Sequence, residues 1–178
     1  MNHDRYEDTY IADVLNETRS IAMVGASANI NRPSYFALKY LVGKGYNVHP
    51  INPGLAGKKI AGQTVYAALA DVPVPVDMVD IFRNSEAALE VTREAIRLKD
   101  RLGLKTVWMQ LSVRNDEAAA EAEAAGLRVV MNRCPKIEYG RLSGEIGWIG
   151  VNAGVMSSRR PLLGSGVQNQ VIAKTRRY

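Results

Sequence analysis

The stretch Val24-Gly25-Ala26-Ser27-Ala28-Asn29-Ile30-Asn31-Arg32-Pro33 decides the fold. An apolar run, Ile21-Ala22-Met23-Val24, ends at a glycine, and a helix opens after Pro33. Proline suits the first helical turn because it lacks the N–H that would go unpaired there. A strand that turns through glycine into a helix presents free backbone N–H groups and the positive end of a helix dipole. Together they favour an anion, above all a phosphate. Gly25 permits a tight turn, Ser27 adds a hydroxyl, and Arg32 offers a charged fork.

Outward from this turn, short apolar runs alternate with helical patterns. The helix from Pro33 to Leu41 stops at Gly43 and Gly45. Asn47 to Ile51 reads as a second strand, closed by Asn52-Pro53-Gly54, and Lys59-Ile60 as a short third. Thr64 to Leu69 reads as a short helix. Val76 to Phe82 is the next strand. Ser85 to Leu102 carries Ala88, Leu89, Val91, Ala95, Ile96 and Leu98 on one helical stripe, with Ser85 as N-cap and Gly103 as stop. Lys105 to Met109 is strand, Asn115 to Ala125 helix, and Leu127 to Met131 a last strand.

Strand–helix repetition at this spacing predicts parallel βαβ units. Continuously apolar strands predict helices on both sheet faces. The expected fold is an α/β, doubly wound parallel sheet in a single domain. Such sheets bind ligands beyond the C-terminal strand ends, which singles out Gly25-Ala26-Ser27, Asn52-Pro53, Phe82-Arg83 and Gln110.

Composition excludes several classes. The 178 residues are 47% hydrophobic and 23% charged, too balanced for a disordered chain. No run approaches the roughly 20 apolar residues of a membrane helix. Met1 to Arg19 lacks an apolar core, so no secretory signal is expected. A single cysteine, Cys134, fits a reducing compartment, the cytoplasm. Two histidines and one cysteine do not supply a zinc site of the usual kind.

The net charge of +5 resides in the tail: Arg159, Arg160, Lys174, Arg176 and Arg177 follow residue 150 without any acid. The expected division is an N-terminal segment at 1–14, a domain at 15–142 and a basic extension at 143–178. The extension is either solvated or an arm that seeks anions, a protein partner or a second copy of the chain. With Tyr178 the only aromatic after residue 150, nucleic acid is not the expected partner.

The turn is not the G-x-G-x-x-G fingerprint, since Ser27 and Ile30 stand where glycines are required. No acid follows the second strand to hold an NAD ribose; Asn52 is there instead. No G-x-x-x-x-G-K-[ST] loop is present.

With these motifs the chain resembles the small stand-alone CoA-binding proteins, themselves similar to the N-terminal CoA-binding domain of the succinyl-CoA synthetase alpha subunit. The resemblance spans roughly 15–142 and rests on ordered motifs: Val24 to Ser27 with Arg32-Pro33, Gly45 to Val48 leading to Asn52-Pro53, Gly62 with Tyr66 and Leu69, Val76 to Arg83, Val107 to Gln110, Ala125 to Leu127, and Arg133-Cys134. It implies a Rossmann-like domain that binds coenzyme A, free or acylated, through its nucleotide half. Gly25, Ala26 and Ser27 would form the diphosphate turn, aided by Arg32 and Pro33. Asn52 and Pro53 would border the adenosine and its 3′-phosphate. Phe82 and Arg83 would wall the pocket, and Gln110 would lie near the pantetheine or the adenine. Leu55 stands where the ligase subunit has a phosphate-contacting lysine, with Lys58 and Lys59 close by, and Ser112 stands where relatives often have glycine. The ligase's second domain is absent, so ligase activity is not implied.

No nucleophile–base pair stands out, and a binding role without catalysis is expected. The alternatives are an NAD(P)-dependent oxidoreductase and a CoA-sensing module or partner of an acyl-CoA ligase. His49 and Cys134 read as structural, Trp108 as core, and Asp77 and Asp80 as the start and polar face of a strand. The Glu86, Glu90, Glu94 and Arg93, Arg97, Arg101 rows read as a solvated helix face.

Overall fold

The computed structural model describes residues 1–145; most of the basic extension lies outside them. Five parallel strands form the main sheet: β1 (Ser20–Val24), β2 (Asn47–Ile51), β5 (Met78–Ile81), β6 (Thr106–Met109) and β7 (Arg128–Val130). Their order is β2-β1-β5-β6-β7, and register runs Met23↔Asp80 and Asp80↔Trp108 across the centre. Between β2 and β5 a small hairpin, β3 (Lys59–Ile60) and β4 (Gln63–Thr64), stands apart from the sheet. The chain goes one way from β1 to β2 and then returns to the other side of β1. The switch in strand order therefore lies between β1 and β5, where ligands of open α/β sheets bind.

Helices α1 (Asp8–Glu17), α2 (Pro33–Gly43) and α5 (Pro135–Leu142) cover one face; α3 (Ser85–Leu102) and α4 (Asp116–Ala124) cover the other. This is the Rossmann-like, doubly wound architecture that the sequence predicts. The strands are mostly apolar because both faces are buried, with Asp80 in β5 the buried acidic exception.

Three local readings change. Residues 64–69 form no α-helix. The Tyr66 amide donates to Pro50 O and the Asn52 amide to Tyr66 O, so pairing with the β2 edge holds the segment extended. Leu69–Asp71 then makes one 3-10 turn. Asn84, not Ser85, caps α3, its Oδ1 accepting from the Ala87 amide at 2.9 Å. The N-terminal segment contains most of α1, whose Ile11, Ala12, Val14 and Leu15 are buried in the core.

The opposite edge is also covered. Tyr6 Oη accepts from the Met131 amide at 2.7 Å, and Tyr10 Oη bonds both polar groups of Val129. Two tyrosine hydroxyls thus occupy hydrogen-bonding positions that a sixth strand would fill.

Candidate functional site

Gly25 ends β1 with φ +89°, a conformation that L residues rarely adopt. A Cβ here would collide with the Phe82 carbonyl oxygen and come within 3.0 Å of Arg83 Cδ. Glycine therefore lets the loop after β1 lie directly on the end of β5, at the switch point. The Gly25 and Ala26 amides both donate to Ile51 O, at 3.1 and 3.2 Å. They anchor the loop and offer nothing to a ligand.

The free donors come next along the chain. Among the described residues the Ser27 and Ala28 amides have no acceptor, nor has the Ser34 amide in the first turn of α2. Ser27 Oγ accepts from the Asn29 amide at 3.1 Å, which leaves its hydroxyl proton free to donate outward. Arg32 precedes α2 with Pro33 at its start. Arg32 and Arg83 are both exposed, and neither has an ion-pair partner among the described residues. Free amides, a helix N-terminus and two unpaired guanidinium groups make a site chemically suited to a phosphate or diphosphate.

Asn52 fixes this loop. Its Nδ2 donates to Ala26 O at 2.8 Å, and its Oδ1 accepts from the Gly54 amide at 3.0 Å. The side chain is spent on positioning. Pro53 opens an exposed 3-10 turn beside it, with no carboxylate in the turn and Lys58 and Lys59 exposed nearby.

Phe82 is half-buried at the end of β5. Gln110 follows β6 and is 5% exposed. Its Nε2 lies 2.9 and 3.1 Å from the two carboxylate oxygens of Asp80. Asp80 is not on a polar strand face: it is wholly buried between Met23 and Trp108. Burial pushes its carboxyl up to about 7, opposed by the Gln110 hydrogen bond. Sequence reasoning passed over Asp80, Ala28 and Ser34 as site residues.

The remaining candidates are buried or committed to contacts within the fold. Burial pushes the Cys134 thiol up, away from thiolate, despite the Ile137 and Lys136 amides at the start of α5. His49 is buried against Tyr66, and burial lowers its pKa. Trp108 is core, its Nε1 donating to Arg133 O. Asp77 holds the Arg19 and Ser20 amides and Lys105. The α3 face is not simply solvated: Arg93 crosses to Glu117 and Glu121 on α4. Among the described residues no group of three side chains could hold a metal, and no helix is long and apolar enough to cross a membrane.

Ile30, Phe36, Leu111 and Ile137 are exposed by 43 to 61%, and all lie in the loops or first helical turns at the C-terminal strand ends. A shallow groove of about 400 Å³, lined by Phe36, Lys39, Tyr40, Gly43, Lys44 and Lys136, lies to one side, on the outer faces of α2 and α5.

Residues 19–140 match the model of the CoA binding domain. The chain belongs to the CoA-binding domain family. The domain is 28% identical to the Bacillus subtilis (strain 168) protein YneT over 129 residues, 72% of this chain and 91% of that one. A hypothetical protein from Pyrococcus horikoshii OT3 superposes with TM-score 0.72 at 34% identity, covering 80% of this chain and 96% of its own. The dinucleotide-forming acetyl-coenzyme A synthetase 1 of Ca. Korarchaeum cryptofilum, solved with phosphate and ADP, superposes with TM-score 0.53 at 29% identity, over 64% of this chain and 26% of the synthetase. The CoA-binding domain match begins after α1, so Tyr6 and Tyr10 precede the matched region.

Proposed function

We propose that this CoA-binding domain binds coenzyme A, free or acylated, by its nucleotide half, in the cytoplasm and without chemistry of its own. One observation carries the reading. Among the described residues, the loop after β1 leaves the Ser27, Ala28 and Ser34 amides free, between Arg32 and Arg83, which have no ion-pair partner there. That donor set fits a diphosphate. Adenosine would then lie over the end of β2, beside Asn52 and Pro53. No acid there repels a phosphate on the ribose, and Lys58 and Lys59 offer charge to it. The rest of the ligand runs toward β5 and β6, past Phe82 and Gln110, where Leu111 supplies apolar surface.

Calorimetry with CoA, dephospho-CoA and NAD tests this reading. CoA binds tightest, and loss of the 3′-phosphate weakens binding. NAD binding as tightly as CoA would instead support the oxidoreductase alternative.

A further inference from the structure

We propose that Asp80 is a positioning residue for the ligand's arm: its buried carboxyl orients the Gln110 amide so that Oε1 is offered as an acceptor to an N–H or S–H of that arm. The inference rests on the CoA reading and adds to it a specificity element outside the phosphate cradle.

The argument begins with a cost. A wholly buried carboxyl with a single neutral partner is expensive to ionise, and Gln110 Nε2 is the donor that Asp80 has among the described residues. Among the described residues, burial and the Gln110 hydrogen bond are what set its pKa, with no cationic partner. From α5 the Cys134 thiol is near enough to feel its charge, with Lys136 in the same turn. β1 and β6 flank it with Met23 and Trp108, and the Trp108 N–H is committed to Arg133 O at 2.7 Å.

A carboxylate can only accept, so it draws in the NH₂ end of the amide and turns Oε1 the other way. Oε1 has no donor among the described residues. Gln110 follows β6, two strands from β1, and its backbone amide donates to Ile81 O, the residue before Phe82. A ligand that starts over β2 and crosses β1 therefore reaches Gln110 with its arm, not with its phosphates. Neighbouring strands are about 4.8 Å apart, well within the reach of pantetheine.

Once protonated, Asp80 can itself donate, and the amide is then free to sit either way round. Burial places this titration at about 7. The acceptor is fully presented above that pH and degraded below it, so the arm should strengthen binding more as pH rises.

The test compares CoA with 3′-phosphorylated ADP, which keeps the nucleotide half and lacks the arm. In the unaltered protein the ratio of the two affinities rises from pH 5.5 to 8.5; in Asp80→Asn it is flat. Gln110→Met lowers CoA affinity by about threefold to tenfold, the worth of one hydrogen bond, and leaves 3′-phosphorylated ADP unchanged. A flat ratio in the unaltered protein, or equal losses for both ligands, overturns the inference while the CoA reading stands. Failure of both ligands to bind overturns both. A ligand-free readout guards against misfolded variants: the Gln110 side-chain ¹⁵NH₂ resonance titrates near pH 7 in the unaltered protein and is constant in Asp80→Asn. A resonance indifferent to pH in both contradicts the proposal.

Discussion

The Tyr10 hydroxyl holds both sides of Val129, donating to its carbonyl at 3.1 Å and accepting from its amide at 3.2 Å. Val129 lies 119 residues further along the chain. Tyr6 stacks on Tyr10 and bonds the next outward amide, that of Met131. A buried backbone group left without its partner costs about 1–3 kcal/mol. Tyr10→Phe should therefore destabilise the domain by about that much in urea denaturation, with Tyr6→Phe somewhat less because it frees one backbone group. Unchanged midpoints would mean that the N-terminal segment rests on the edge without supporting it.

Gly25→Ala tests the close approach of β1 and β5. The positive φ alone costs a non-glycine residue about 1–2 kcal/mol, and the Phe82 carbonyl stands in the path of the new methyl. We expect a lower melting temperature and a loss of CoA affinity larger than stability alone explains, because the loop must lift off β5. A variant with normal affinity would show that the loop position is not needed for binding.

Much of this was legible in the sequence. β1, the glycine turn and α2 could be read directly, because Ile21 to Val24 form a continuous apolar run, as buried parallel strands do, and Pro33 marks a helix start. The 64–69 segment could not, since its conformation is set by pairing of Tyr66 with Pro50 and Asn52. Helix α1 left a signal, the Ile11, Ala12, Val14 and Leu15 stripe, that acidic neighbours obscured. At the candidate site the positions Gly25, Ser27, Asn52 and Gln110 were readable, but their bonds were not. That the Ala26 amide is spent on Ile51, and that Asp80 is buried beneath Gln110, depends on strands distant in sequence.

Asn52 illustrates the point and can be tested. Its amide joins Ala26 O to the Gly54 amide. Asn52→Leu removes both bonds and should cost about 1–3 kcal/mol of stability, together with CoA affinity. Asn52→Asp keeps the bond from Gly54 but sets a carboxylate oxygen against Ala26 O, so it should also weaken CoA binding. Calorimetry showing full affinity in both variants would remove Asn52 from the site.

Asp80 imposes a pH dependence on folding. Its folded pKa, about 7, lies above the ordinary carboxylate value. The neutral form is favoured in the fold, so its contribution is complete below about pH 4 and is lost as pH rises through about 7. Asparagine does not titrate. Relative to Asp80→Asn, the unaltered protein should lose stability between these limits, on the order of a few kcal/mol. Parallel stability curves for the two proteins would show that Asp80 is charged in the fold.

The central claim is that a diphosphate sits in the loop between β1 and α2. Backbone amide chemical shifts recorded during a titration with CoA test it most directly. The account predicts the largest changes at Ser27, Ala28 and Ser34, smaller ones at Phe82 and Gln110, and little at Gly43 and Lys44 in the outer groove. Largest changes in the groove between α2 and α5, with Ser27 and Ala28 unmoved, would contradict it.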